Sequence, residues 1–223
     1  MGLKINETKS VKEQYKKTDN LNTRISIHDK YSTNKMGLAN WYFTIYKIKN
    51  GMKILELGCG TGSMWIDHKD VIRKCSQIVL SDLSEGMLTE AKNQIGVFQN
   101  TEYKVIDIQE IPFAEDYFDI VIANYMLYHV PNIDKAVSEV CRVLKKGGYF
   151  YAGTAGENGI METIVKILGV DLSYANTFSL ENGMEKLEPY FSKIEIKRYV
   201  DSLEITNIDD LMDYILIFRI IVK

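Results

Sequence analysis

Residues 53–63 read KILELGCGTGS, a short apolar run followed at once by three closely spaced glycines. The apolar run predicts a buried strand of the kind found in parallel sheets that are covered on both faces. Gly58, Gly60 and Gly62 let the backbone approach a ligand closely, because glycine carries no side chain. A helix that starts after Gly62 would point unpaired N–H groups at the same place. The stretch therefore predicts a site for a nucleotide-like ligand.

The spacing of these glycines separates two kinds of nucleotide site. The dinucleotide fingerprint G-x-G-x-x-G is not met, because Ser63 stands where its third glycine would fall. The residues instead form E-x-G-x-G-x-G, beginning at Glu56. On this stretch alone, other nucleotide-binding α/β domains stay open as alternatives.

A β-then-α rhythm continues from this turn to residue 153. Apolar runs separated by helical patterns are typical of a parallel sheet with right-handed crossovers. Such sheets bind ligands at the carboxyl ends of their strands, so the residues that end the strands are candidate site residues. The predicted strands are 77–81, 103–106, 118–123 and 148–153, and the first three are followed by Asp82, Asp107 and Asn124.

Several of these segments together resemble the class I S-adenosylmethionine-dependent methyltransferases. Residues 56–62 have the form of the family's first motif, residues 107–108 are similar to the third, and residues 118–125 are similar to the fourth. Residues 139–148, EVCRVLKKGG, resemble the family segment R-x-L-K-P-G-G, with Lys146 in place of the proline. The motifs occur in the family's order, so the joint resemblance is more specific than any one motif.

The segment after the fourth strand narrows the resemblance. Residues 126–130, MLYHV, resemble the loop of the small-molecule, UbiE-like branch, also described as methyltransferase type 11/25. The N-P-P-Y and D-P-P-Y signatures of amino-group methylases do not occur here, since Asn124 is followed by Tyr125 and Met126. No Pro-Cys pair suggests a C5-cytosine methylase. The resemblance therefore favours a small-molecule acceptor.

The resemblance implies a three-layer, Rossmann-like, doubly wound α/β sheet of seven strands. Most strands would be parallel, with an antiparallel strand near the C-terminal edge, for which the alternating segments 194–199 and 203–205 are the candidates. Residues 1–50 would form an N-terminal helical lid or arm. Residues 51–223 would form the cofactor-binding domain, with a helical insertion at about 154–183.

The resemblance also implies S-adenosylmethionine as the cofactor and S-adenosylhomocysteine as the product. Asp82 would bind the ribose hydroxyls, Asp107 would bind the adenine amino group, and Glu56 would lie beneath the glycine turn. Carboxylates suit a ligand that carries a sulfonium and an ammonium. A capping role for Asp82 and a turn-forming role for Asp107 are the structural alternatives. The expected cofactor-binding residues are Glu56, Gly58, Cys59, Gly60, Gly62, Asp82, Leu83, Met87, Asp107, Ile108, Asn124 and Tyr31.

The sequence identifies no catalytic residue outright. A general base is needed only if the acceptor loses a proton at the reactive step. His129, Tyr128 and His28 are the candidates by position. Aromatic residues of the arm would close over the cofactor, and Arg24 or Lys30 would meet a carboxylate. An arm held in place by aromatic burial is the plainer alternative.

Composition excludes several classes of protein. The net charge of −3 argues against a general affinity for nucleic acid, although residues 1–50 carry ten Lys or Arg and four Asp or Glu. Three widely spaced cysteines and three histidines predict neither a disulfide framework nor a metal site. No apolar run approaches the roughly 18 residues of a membrane span, and the N-terminus is too polar for a secretory signal. A cytoplasmic location is the resulting expectation.

These observations predict an S-adenosylmethionine-dependent methyltransferase that moves a methyl group to an O or N atom of a small molecule. The expected partners are that acceptor and at most a second copy of the chain, with no membrane and no nucleic acid. Two alternatives stay open. One is an RNA or protein methyltransferase that uses the basic arm, and the other is a non-catalytic S-adenosylmethionine-binding protein.

Overall fold

One parallel sheet is the centre of the computed structural model, which describes residues 19–156, 159–160, 163–164 and 177–221. Its order is β3-β2-β1-β4-β5, and every neighbouring pair is parallel. The α/β, Rossmann-like architecture is therefore confirmed. The strands are β1 Lys53–Leu57, β2 Gln77–Asp82, β3 Thr101–Val105, β4 Phe118–Asn124 and β5 Leu144–Gly153; the helices are α1 Asp19–Tyr31, α2 Leu38–Ile45, α3 Lys69–Lys74, α4 Glu85–Ile95, α5 Ile133–Val143, α6 Gly183–Leu187 and α7 Ile208–Ile221.

The sheet is buried on both faces because successive strand residues enter two different apolar clusters. Leu55 and Leu57 of β1 pack on the face that α5 covers. Ile54, the residue before Leu55, packs on the opposite face with Trp65 and Tyr42. Helices therefore lie on both sides of the sheet, which explains why the strand sequences read as continuous apolar runs.

Two expected features of the sheet are not found in the described residues. The described sheet has five strands rather than seven, and residues 194–199 pair with none of them as an antiparallel strand. Backbone groups that follow this segment bond to the arm instead. The Thr33 N–H donates to the Ser202 carbonyl, and the Glu204 N–H donates to the Tyr31 carbonyl, each at 2.9 Å. Groups engaged in this way are not available to a ladder along β5.

The arm lies against the sheet domain through two helices. Tyr42 of α2 and Tyr46, which follows it, are buried against the sheet, and α1 packs against α7 near the C-terminus. Residues 1–18 and most of the expected insertion at 154–183 lie outside the described residues. Over the ranges described, no helix combines the length and the apolar character needed to cross a membrane.

Candidate functional site

The strand order reverses between β1 and β4, and the candidate site lies where these two strands end. β1 leads into the glycine turn, whereas β4 leads into Asn124 and the loop that follows it. A Cβ added to Gly58 would lie 2.7 Å from the Met126 Cβ, so the two connections are in contact. The expected first and fourth motifs therefore meet at the switch point of the sheet.

The glycine turn has a backbone that other residues rarely adopt. Gly58, Gly60 and Gly62 have φ angles of 71°, 55° and 75°, in the left-handed region that favours glycine. A Cβ on Gly62 would overlap the Ile95 side chain of α4. A Cβ on Gly60 would lie 3.0 Å from the Leu21 Cδ2 of α1. The turn is therefore held between α4 and the arm.

Asp82 ends β2 and connects it to the glycine turn. Its Oδ2 accepts a hydrogen bond from the Gly60 N–H at 3.0 Å, and its Oδ1 accepts one from the Ser84 N–H at 2.9 Å. Burial raises the pKa of Asp82. A carboxylate offers about four acceptor positions, so these two bonds leave capacity for hydroxyl donors. The bracing of the turn was not predicted, and it is compatible with the expected ribose contact.

Glu56 lies beneath the turn and is only 2% exposed. The Trp65 Nε1–H donates to its Oε2 at 2.5 Å. Burial raises the pKa of Glu56 to about 7, and the charge of Asp82 acts in the same direction, whereas the bond from Trp65 opposes it. A nearby cation would stabilise the ionised forms of these two carboxyl groups, which their surroundings disfavour. The site therefore fits a positively charged ligand such as a sulfonium.

Asp107 follows the end of β3 on the same edge of the sheet. Its Oδ1 accepts a hydrogen bond from the Gln109 N–H at 2.9 Å, so the predicted turn-forming role is present. Ile108 is buried in the apolar core next to this turn. The Ile106 N–H faces the Asp82 carbonyl at 3.4 Å, which places the two acidic strand ends side by side.

Asn124 is the last residue of β4, and Tyr125 begins the loop that follows it. The Asn124 Nδ2–H donates to the Tyr46 hydroxyl at 2.6 Å. Tyr125 has a φ of 53°, which is rare for a residue with a side chain, and its N–H donates to the Gly153 carbonyl at 2.8 Å. Residues of α2 therefore reach the switch point from the arm.

The three candidate bases lie in different surroundings. His129 is part of the short helical turn Leu127–His129, and burial, followed by the charge of Arg24, lowers its pKa to about 4. Its imidazole is therefore neutral at pH 7, although a pKa near 4 is below the range that suits a general base. The Tyr128 ring lies 4.5 Å from the His129 ring. His28 is on an exposed part of α1.

The remaining predicted residues divide into two groups. Cys59, Leu83 and Met87 lie within the turn or at the start of α4, and burial raises the pKa of the Cys59 thiol well above its ordinary value. Tyr31 is elsewhere, because its hydroxyl donates to the Asp210 Oδ2 at 2.6 Å. The described contacts of Tyr31 therefore join α1 to α7 and do not bring it to the glycine turn.

Sequence reasoning did not single out several residues that shape this site. Trp65 holds Glu56, Leu21 contacts the turn, and Tyr42 and Tyr46 reach the ends of β5 and β4. The aromatic run 41–46 was a visible signal for the two tyrosines. Their hydroxyl partners could not be predicted, because they lie about eighty to over one hundred positions further along the chain.

Comparison with known proteins agrees with this geometry. Residues 55–152 match the family model described as a methyltransferase domain. The matched range begins in β1 and ends in β5, so it contains the glycine turn and the carboxyl ends of β1 to β4.

Relatives with similar sequences cover the same part of the chain. A ubiquinone/menaquinone biosynthesis C-methyltransferase, UbiE, of Vibrio vulnificus is 33% identical over 101 residues, which are 44% of this chain and 39% of the relative. A protein of the same name from Haemophilus ducreyi is 33% identical over 104 residues, 45% of this chain and 40% of the relative. The chain thus spans about two fifths of the length of the curated relatives that it matches.

Solved structures show the same fold over a larger share of the chain. One chain of a Haloferax volcanii complex with the Trm112 methyltransferase activator has a TM-score of 0.62 at 18% identity, covering 80% of this chain and 76% of that one. The YcgJ protein of Bacillus subtilis has a TM-score of 0.54 at 23% identity, covering 68% and 66%. At these identities the likeness is one of fold.

Proposed function

We propose that this protein is an S-adenosylmethionine-dependent methyltransferase that acts on a small-molecule acceptor. One observation carries the proposal: at the switch point of the sheet, a positive-φ glycine turn lies next to the buried Glu56 and is braced by the half-buried carboxyl group of Asp82. When bound, the cofactor supplies an electrophilic methyl group on a sulfonium. Its binding residues would be those predicted around the turn, with Asp82 on the ribose and Asp107 on the adenine.

The contribution of the chain itself is to orient the reactants and exclude water. Methyl transfer forms a bond between an acceptor lone pair and the methyl carbon, while the electron pair of the broken C–S bond stays on sulfur. A proton that the acceptor loses needs a base or water. The neutral imidazole of His129 is one predicted candidate, and its low pKa favours an acceptor that needs little help from a base.

Two kinds of atom are candidates to receive the methyl group. The sequence favours transfer to O or N, as expected for a small molecule with an exposed lone pair. Carbon is the second candidate, because the curated relatives carry the name C-methyltransferase. Phenols and enols react at oxygen or at a ring or chain carbon, so one class of acceptor accommodates both.

The arm is part of this proposal as a lid over the cofactor. Leu21 contacts the turn at Gly60, and Arg24, one helical turn later, acts on the His129 imidazole. The first turns of α1 therefore cross the switch point from β1 to β4. These contacts support the proposed division into an arm at 1–50 and a catalytic domain at 51–223.

Isothermal titration with S-adenosylmethionine tests the cofactor assignment. Asp82→Ala should weaken binding about 100-fold, because it removes both the brace on Gly60 and the ribose acceptor. Asp70→Ala is the matched control, since Asp70 is an exposed acid that pairs with Lys74. Equal affinity of wild type and Asp82→Ala would contradict the site. Methyl transfer from labelled cofactor to pooled small phenols, enols and amines would then identify the acceptor class.

A further inference from the structure

The Tyr42 and Tyr125 hydroxyls, which lie near Asn124 at the ends of β4 and β5, have no role in the cofactor site described above. A Cβ on Gly153 would overlap the Tyr42 hydroxyl and would lie 2.7 Å from the Asn124 Oδ1. The Tyr42 and Tyr125 hydroxyls are also close enough to change each other's pKa. Atoms from the arm, from β4 and from the loop after β4 therefore converge on one glycine of β5.

Asn124 is incompletely satisfied in this group. Its side chain is only 8% exposed, and its Nδ2 is used by the Tyr46 hydroxyl. Within the ranges that the structure describes, no donor lies within hydrogen-bonding reach of its Oδ1. A buried acceptor without a partner costs free energy. We therefore expect a bound ligand to donate a hydrogen bond to this oxygen.

Tyr125 adds a second and independent indication. A positive φ at a bulky residue is strained, and such strain is concentrated at binding and catalytic sites. The conformation is held by the bond from the Tyr125 N–H to the Gly153 carbonyl, and the side chain keeps 37% of its surface exposed. The chain thus maintains an unfavourable backbone conformation that places a partly exposed tyrosine beside Tyr42.

Aromatic rings dominate the surroundings of this group. Tyr42 stacks on Tyr46 at 5.5 Å and meets Trp41 edge-on at 5.1 Å, and Trp41 lies 5.6 Å from Tyr199. Burial raises the pKa of the Tyr42 hydroxyl and of the Tyr125 hydroxyl, so both stay neutral and act through hydrogen bonds. Flat aromatic walls with neutral polar atoms suit a planar ligand with one hydrogen-bonding group.

We propose that Tyr42, Tyr125 and Asn124 Oδ1 form the seat of the methyl acceptor, and that this acceptor is a planar, unsaturated molecule with a hydroxyl or amino donor. The inference rests on the proposed function and deepens it, because it names the acceptor class and the residues that position it. The arm then contributes to acceptor recognition as well as to closure. An N–H donor could also come from the cofactor's ammonium, so the test separates the two sources.

Binding of matched probes to the complex with S-adenosylhomocysteine tests the seat. The probes are 1-naphthol, 1-naphthylamine and naphthalene, which share a ring system and differ in the donor. Wild type should bind 1-naphthol and 1-naphthylamine at least about tenfold more tightly than naphthalene. Tyr42→Phe and Tyr125→Phe should each remove most of this preference and leave the affinity for S-adenosylhomocysteine unchanged. Measuring wild type and each variant with probes that have or lack the donor isolates the contribution of the tyrosine hydroxyl to the binding of that donor.

Tyr117→Phe is the matched control, since its hydroxyl donates to Gln77 at 2.9 Å near the opposite ends of the strands. It should keep the full preference. Tyr125→Phe guards against a folding defect in Tyr42→Phe, because the Tyr125 side chain is partly exposed. A wild type without preference, or a preference that survives both variants, would overturn the seat. A loss of S-adenosylhomocysteine affinity in the variants would assign these atoms to the cofactor and also overturn it. If wild type binds neither form of the cofactor, the proposed function itself fails.

Discussion

The sheet body, residues 53–153, and the cap, where residues 19–34 meet residues 199–214, are held together in different ways. In the body, Ile54, Phe118 and Val121 have no exposed surface, and backbone ladders connect all five strands. In the cap, polar side chains make the main connections, and its apolar cluster is small. From this comparison we expect the body to stay fixed and the cap to separate from it.

Two carboxylates make most of the polar connections in the cap. Asp210 accepts from Lys30 at 2.8 Å and from the Tyr31 hydroxyl at 2.6 Å. Asp201 accepts from the Ser32 hydroxyl at 2.8 Å and from the Asn34 N–H at 3.0 Å. Such partly exposed bonds exchange readily with water and contribute little net stability. We therefore expect the body to set the geometry of the cofactor site and the cap to open and close over it.

The largest expected difference between the two regions is in their response to truncation. Phe118→Ala should lower the free energy of unfolding by about 3–5 kcal/mol, because it leaves a cavity in a fully buried core. Leu203→Ala in the cap should lower it by less than about 1.5 kcal/mol, since Leu203 is only partly buried. Urea denaturation of both variants measures these values. Equal losses would show that the cap is as firmly packed as the body.

The same contrast explains what the sequence could predict. The order of strands and helices from β1 to β5 was predicted because parallel strands carry their pattern locally, in apolar runs that end at residues such as Asp82 and Asn124. The glycine turn was predicted for the same reason. The positive φ angles at Gly58, Gly60 and Gly62 explain why glycine occupies these three positions.

The cap was not predicted, because its bonds join distant parts of the chain. Lys30 and Asp210 are 180 positions apart, and no local pattern relates them. The alternation in 194–199 suggested an antiparallel strand, but alternation records only which side chains are apolar. It does not record that Thr33 and Tyr31 already bond the backbone that follows. The bond between Trp65 and Glu56 was missed for a related reason, since Trp65 also fits an ordinary core position.

A change of pH should separate the cofactor site from the rest of the body. The pKa of Glu56 is raised from 4.5 to about 7 in the folded protein without ligand. A bound cation favours the ionised form, so the affinity for S-adenosylmethionine should rise as the pH increases through 7, by about tenfold between pH 6 and 8. Glu56→Gln should flatten this dependence in isothermal titrations.

The free energy of unfolding of the ligand-free protein should instead decrease as the pH rises. A carboxyl whose folded pKa is raised contributes stability that is fully present below about 4.5 and is lost as the pH rises through about 7. Glu102→Gln is the control, because Glu102 lies at the start of β3 and its hydrogen bond and ion pair with Lys104 lower its pKa. If Glu56→Gln keeps the wild-type pH profile of S-adenosylmethionine affinity, Glu56 is not the group that couples cofactor binding to pH.

The smallest expected effect concerns the hydrogen bonds of Asp210, which join the arm to α7. Asp210→Asn removes the negative charge that Lys30 and Tyr31 share, so the arm should separate more often from the C-terminal helix. Amide hydrogen exchange in residues 19–34 should become about two- to fivefold faster, while exchange in β1 to β5 stays at the wild-type rate. Asp70→Asn breaks an exposed ion pair within α3 and should leave the arm unchanged. Faster exchange should be accompanied by faster release of S-adenosylmethionine, because α1 lies on the turn at Gly60. An arm that exchanges faster without any change in cofactor release would show that the cap opens but does not gate the site.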